Sequence, residues 1–180
     1  MDTSSIGTRY AKSLFLLAQE QKKLDEVNKD VRFVYNSFRE TKEISLFLDN
    51  PVVKESDKVK IVQELFQKHV GELVLNLLIL AIRNKRELYI ENICRNFSDL
   101  YKESKGIKTV VLTSAIPLDE KIKNLMEDIL KEQLKAEIDF SERVNEKILG
   151  GFILQIDGRQ YDTSISHKLT KLKQELIKRK

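Results

Sequence analysis

The sequence predicts a mostly α-helical protein: an N-terminal six-helix bundle followed by a small α/β module with a short mixed sheet. Three observations lead there. Hydrophobic residues make up 41% of the chain and charged ones 33%, against six Gly and two Pro, a balance that favours helices with polar outer faces. Apolar side chains recur at helical spacing from the N-terminus to about residue 105. After Gly106 the period changes, and Ile107 to Ser114 is rich in β-branched residues. The expected division is therefore residues 1–105 and 106–180.

The elements follow in order. From Ser4 to Gln21, Ile6, Tyr10, Leu14 and Leu17 form one apolar line and Ala11, Phe15 and Ala18 another; together they cover about 180° of a helix, wider than one neighbour can bury. Leu24, Val27, Val31, Val34 and Phe38 give a clean stripe for a second helix over Leu24 to Glu40. A short third segment, with Ile44, Phe47 and Leu48, ends at Asp49-Asn50-Pro51, because a residue before proline is pushed out of helical geometry. Val59, Val62, Leu65 and Phe66 mark a fourth helix, with Ser56 and Asp57 as its expected caps. The fifth is Leu73 to Ile82, LVLNLLILAI, ten residues with one polar side chain. A sixth, Arg86 to Ser104, turns Ile90, Ile93, Phe97 and Leu100 inward and stops at Gly106.

In the second half, a strand over Ile107 to Ser114 is followed by Pro117, Asp119 and Glu120 at a helix start, and by a stripe of Leu118, Ile122, Leu125 and Ile129. Ile138 to Ser141 alternates as a strand, Phe152 to Ile156 reads as a buried one, and Asp157-Gly158 is a two-residue hairpin turn. A last helix follows Asp162, with Ile165, Leu169, Leu172 and Leu176 in line.

The fifth helix carries the functional question. A membrane span needs about 20 apolar residues, and this run stops at Arg83-Asn84-Lys85-Arg86, so it must find its surroundings in protein. Burying a Leu or Ile is worth about 1.5–3 kcal/mol, which makes this helix the expected centre of the bundle, ringed by the other five. Asn76 marks the side expected to be open, a strip of Leu73, Asn76, Leu77, Leu80 and Asn84. On the first helix, Ala11, Ala18, Leu14 and Phe15 suit close packing, which leaves Ile6, Tyr10, Ser13 and Leu17 spare. Two such strips side by side would form a groove for an amphipathic helix of another protein.

Chemistry is scarce by contrast. His69 and His167 have no cysteine or carboxylate set around them with metal-site spacing, so no metal is expected. Asp162, Ser164 and His167 fall where Asp and Ser cap helices, Gly150-Gly151 lacks the remainder of a phosphate loop, and no catalytic or cofactor-binding residue is predicted. The single Cys94 allows no intrachain disulfide and suits a reducing compartment. Neither a secretory signal nor a transmembrane span is evident in the sequence. The net charge of +4 is too mild to argue for nucleic acid. Lys168 to Lys180 is nevertheless locally basic, and the alternative reading is a helical adaptor with nucleic-acid contacts through that end.

Several stretches taken in series resemble one family. Thr8 to Phe15, Phe47 to Pro51 and Asn84 to Leu88 are similar to the N-terminal domain of the delta subunit of F-type ATP synthases, also known as the oligomycin-sensitivity-conferring subunit. Thr113 to Leu118, Leu149 to Phe152 and Asp162 to Ile165 are similar to its C-terminal part, and the match runs in order from residue 4 to about 177. The resemblance implies a non-catalytic stator subunit that joins the catalytic head to the peripheral stalk and resists rotor torque. It implies that the first and fifth helices bind N-terminal helices of alpha subunits, and that the C-terminal module meets the C-terminal ends of b subunits; the stripe Ile165, Leu169, Leu172 and Leu176 is a candidate contact there, although packing on the module's own sheet is the expected use of most of it. Membrane association would be indirect, on the cytoplasmic face of a bacterial inner membrane.

Overall fold

The computed structural model describes residues 3–167 and 169. It is mostly helical with one small four-stranded mixed sheet. The chain divides into two compact units, Met1–Tyr101 and Lys102–Lys180.

The first unit holds α1 (Thr3–Glu20), α2 (Leu24–Glu40), α3 (Lys42–Asp49), α4 (Glu55–Phe66) and α5 (Glu72–Arg83), then a 3-10 turn (Glu87–Tyr89) that leads into α6 (Ile90–Lys105). All six helices contribute to a single apolar core. The α2 stripe buries Val27, Val31, Val34 and Phe38, and α6 buries Ile90, Ile93, Cys94 and Phe97. Phe38 stacks on Phe66 of α4, with ring centroids 6.2 Å apart. Ser56 and Asp57 do not cap α4; they lie inside it, and Lys54 is the boundary residue.

In the first unit, two helix ends depart from the glycine rule. After α1, Lys22 takes φ 57° while its N–H reaches Gln19 O and that of Lys23 reaches Ala18 O. After α5, Lys85 takes φ 54° with the same paired bonds, to Ile82 O and from Arg86 N to Ala81 O. Both are Schellman closures built on lysine. Gly106, at φ 68°, closes α6 in the expected way.

The position of α5 corrects one expectation. Its broad contacts are with α1, α2, α4 and the 3-10 turn rather than with all five other helices. Only Val74, Leu78, Ala81 and Ile82, a single face, are fully buried. The eight-residue α3 packs on α2 and the 3-10 turn, while Asn76 and Leu80 of α5 are exposed, so the ring around α5 is open on the side that Asn76 marks.

The second unit contains β1 (Lys108–Ser114), α7 (Glu120–Leu134), β2 (Ile138–Val144), β3 (Phe152–Ile156) and β4 (Arg159–Asp162), in sheet order β2-β1-β3-β4. β1 and β2 are parallel, so α7 is the crossover helix such a pair requires. β1–β3 and β3–β4 are antiparallel. The β3–β4 turn is Asp157-Gly158 with φ of 45° and 82°, the positive pair that a two-residue hairpin demands.

The stripe on α7 also differs from expectation. Ile122, Leu125 and Ile129 are exposed, Leu125 by 60%, while Leu130 is buried and Met126 and Leu134 are half-buried. The helix is turned by about a quarter revolution from the predicted face. Lys123 explains it: its Nζ pairs with Glu142 of β2 at 2.6 Å, and the same carboxylate accepts from Leu118 N at 2.7 Å. That pair draws the Lys123 side of α7 onto the sheet and holds the Glu142 carboxyl below its ordinary range, the Lys123 hydrogen bond being the main cause.

Candidate functional site

The sequence-predicted strips on α1 and α5 lie side by side, because these two helices pack as neighbours within the first unit. At one end, Asn84 Nδ2 donates to Tyr10 Oη at 3.1 Å. At the other, Gln21, just past α1, lines a shallow pocket together with Leu73 and Asn76 of α5. Eleven positions separate Tyr10 from Gln21, and eleven separate Leu73 from Asn84, about 16 Å at helical rise. The helices therefore run antiparallel, and the strip between them extends over roughly that length.

Along it, Tyr10, Leu73 and Leu77 are half-buried, with one side against the core. Leu17 is 41% exposed and Leu80 49%. Ser13 is exposed, and its hydroxyl donates to Arg9 O within its own helix. Asn76 and Asn84 are exposed at opposite ends. The Tyr10 hydroxyl accepts from Asn84, which leaves its own proton to donate elsewhere.

Ile6 does not belong to this surface. It is only 7% exposed, because the first turns of α1 lie against α6: a Cβ on Gly7 would come 3.1 Å from Asn96 Nδ2, and that amide donates to Thr8 Oγ1. Sequence reasoning missed Leu16, 54% exposed beside Leu17. No signal singled it out, since apolar residues follow one another around α1. It also missed an apolar crevice between α3 and α4, lined by Ile44, Phe47, Ile61 and Leu65. With α3 only eight residues long, that crevice offers about two turns of contact.

Elsewhere the polar side chains serve the fold. Asp162 Oδ1 accepts from Ser164 N at 2.9 Å and Ser164 Oγ accepts from His167 N at 3.2 Å, which are capping bonds. His167 Nδ1 stands 3.8 Å from Asp162, beyond hydrogen-bond length. Burial pushes the Cys94 thiol up to about 12, so it is inert as a nucleophile. Among the described residues, no three His, Cys, Asp or Glu side chains are placed to hold a metal, and no helix is long and apolar enough to cross a membrane. Ile165 and Leu169 are exposed, whereas Leu172, Leu176 and the basic stretch beyond them lie outside the described residues.

Known proteins resemble this chain along nearly its whole length. Residues 6–176 match the family model described as ATP synthase delta (OSCP) subunit. The ATP synthase subunit delta of Cytophaga hutchinsonii is 34% identical over 173 residues, covering 96% of this chain and 94% of that protein. That of Brevibacillus brevis is 32% identical over 167 residues, covering 93% and 95%. In fold, the chain superposes on a chain of the Toxoplasma gondii mitochondrial ATP synthase hexamer with a TM-score of 0.79 at 22% identity, covering 95% of this chain and 97% of that one. With a family model that spans nearly the whole sequence, and relatives matched along almost their full length, this chain belongs to the ATP synthase delta (OSCP) subunit family.

Proposed function

We propose that this chain is a non-catalytic stator subunit of a proton-translocating F-type ATP synthase, linking the alpha subunits of the catalytic head to the b subunits of the peripheral stalk. Its first domain, residues 1–105, acts as a six-helix bundle that receives an alpha-subunit N-terminal helix between α1 and α5. Its second, residues 106–180, meets the C-terminal ends of the b subunits. It is held at the cytoplasmic face of a bacterial inner membrane through these partners.

The observation that carries this reading is the half-covered strip of Tyr10, Ser13, Leu17, Leu73, Asn76, Leu77, Leu80 and Asn84. Covering what remains exposed of a leucine such as Leu80 is worth about 1 kcal/mol. Several such contacts, less the cost of immobilising a helix, give useful but reversible affinity. The two terminal amides set register, since a partner must satisfy them once water is displaced. In the second domain, the exposed line of Ile122, Leu125 and Ile129 offers a contact surface for b in addition to Ile165 and Leu169.

The test is substitution on the exposed strip. Tyr10→Asp or Leu80→Asp leaves the helical content intact and weakens capture of a synthetic alpha N-terminal peptide at least tenfold by calorimetry, as expected for a carboxylate desolvated in an apolar groove. Unchanged affinity removes the groove. Pull-down from washed membranes tests the wider claim, with alpha and b subunits expected to accompany the chain.

A further inference from the structure

The strip between α1 and α5 is not electrically uniform. Beside its Tyr10–Asn84 end stand the exposed cations Arg9 and Arg83, with Lys85 just past α5. Beside its Leu17–Leu73 end stand the exposed carboxylates Glu20 and Glu72. Lys22 and Lys23 are near that second end too, but Glu26 and Asp30 line the same pocket as Lys23 and offset them. Arg9, Arg83, Glu20 and Glu72 have no ion-pair partner among the described residues. The ends are about 16 Å apart, roughly twice the screening length at physiological salt, so a bound helix meets two separate fields rather than an average.

We infer that the groove selects an amphipathic helix of one charge polarity, with acidic side chains over Arg9 and Arg83 and basic ones over Glu20 and Glu72. A helix most often carries its acids in the first turns and its bases in the last, which complements its own dipole. Such a helix satisfies both rims only when it runs in the same sense as α1, antiparallel to α5. Polarity then adds to the apolar contact what that contact lacks, a choice of direction. The inference rests on the groove reading above and specifies the partner for it.

The experiment uses the full chain and a synthetic amphipathic peptide of about 18 residues, long enough to span the strip, with Leu and Ile on one face, Glu in its first two turns and Lys in its last two. A second peptide replaces each Glu by Gln. In the unaltered protein the Glu-to-Gln change weakens binding about fivefold; in Arg9→Ala/Arg83→Ala protein it changes binding less than about twofold. A nitroxide on the peptide's N-terminus broadens the amide signals of Thr8 to Lys12 and spares those of Leu17 to Gln21. An equal loss in both proteins, or broadening at the Leu17 end, overturns the polarity while leaving the groove in place. Binding that is indifferent to Leu80→Asp as well removes the groove itself, and the polarity with it.

Discussion

Lys58 offers the sharpest test of how the first unit is held together. Its ammonium lies inside the protein, donating to Leu48 O at the end of α3 and to Glu87 Oε1 in the 3-10 turn at 2.5 Å. The two side chains are only 7% and 11% exposed, and Glu87 Oε2 is buried with no partner. Lys58→Met keeps the apolar stem but leaves a buried carboxylate and a carbonyl without their donor. Removing one partner of a buried pair costs about 3–5 kcal/mol, a large share of the 5–15 kcal/mol that typically separates folded from unfolded states. With an m-value of about 2 kcal/mol/M, the urea midpoint should fall by roughly 2 M, followed by far-ultraviolet circular dichroism. Lys58→Met/Glu87→Leu should recover most of that loss, because an apolar pair avoids the desolvation of both charges. A single-variant cost under about 1 kcal/mol, or a double variant no better than the single, refutes the argument. The site bears on the proposed groove, since the 3-10 turn follows the α5 end where Asn84 meets Tyr10.

Three further outcomes are expected. Burial, with the Glu87 charge adding to it and Lys58 opposing, holds the Asp49 carboxyl above its ordinary 3.8; the stability it contributes is complete below that value and is lost as pH rises through the folded one. Asp49→Asn should therefore raise the urea midpoint near neutral pH and leave it unchanged well below pH 3.8. Gly151→Ala should destabilise the second unit by about 2 kcal/mol or more, since Gly151 has φ 75° and a Cβ there would sit 2.8 Å from Thr163 O, whereas Gly158→Ala, with open space around it, should cost only about 1 kcal/mol in thermal melts. Lys22→Gly should stabilise the first unit by about 1 kcal/mol by relieving the left-handed lysine after α1, measured by the same urea titration.

What the sequence revealed depended on whether one signal stood alone. The α2 stripe had no competitor on its helix, and the element runs over Leu24–Glu40 as its pattern said. Asp157-Gly158 has few backbone options between two apolar runs, and it forms the hairpin. On α7 two apolar lines compete, Ile122-Leu125-Ile129 and Met126-Leu130-Leu134; periodicity cannot rank them, and the deciding contact is an ion pair to a residue nineteen positions from Lys123 in the chain. The 3-10 turn before α6 was hidden for a related reason. It follows a Schellman closure on Lys85, and lysine carries no sequence signature of the left-handed conformation that glycine does. In the groove, the surplus apolar faces of α1 and α5 were countable in the sequence, but their adjacency was not, nor the loss of Ile6 to α6, because the close approach is made by Gly7 and two asparagines that look solvent-facing on a helical wheel.

These features bear on how a joint can carry load without a single strong bond. The strip on α1 and α5 belongs to one unit and the exposed α7 line to the other, so head and stalk contacts would be made on separate bodies joined by one chain. Either proposed contact alone would be a modest patch of leucine, isoleucine and amide groups, expected to detach readily when tested as an isolated pair. Joined in one polypeptide, a contact that opens under torque is presented again at high effective concentration as long as the other holds. Cutting the chain at Gly106, just past α6, should therefore weaken retention of the two halves in the complex far more than it weakens either half's binding to its own isolated partner peptide. Equal losses in the two measurements would mean that a single contact bears the load and the second unit is an accessory.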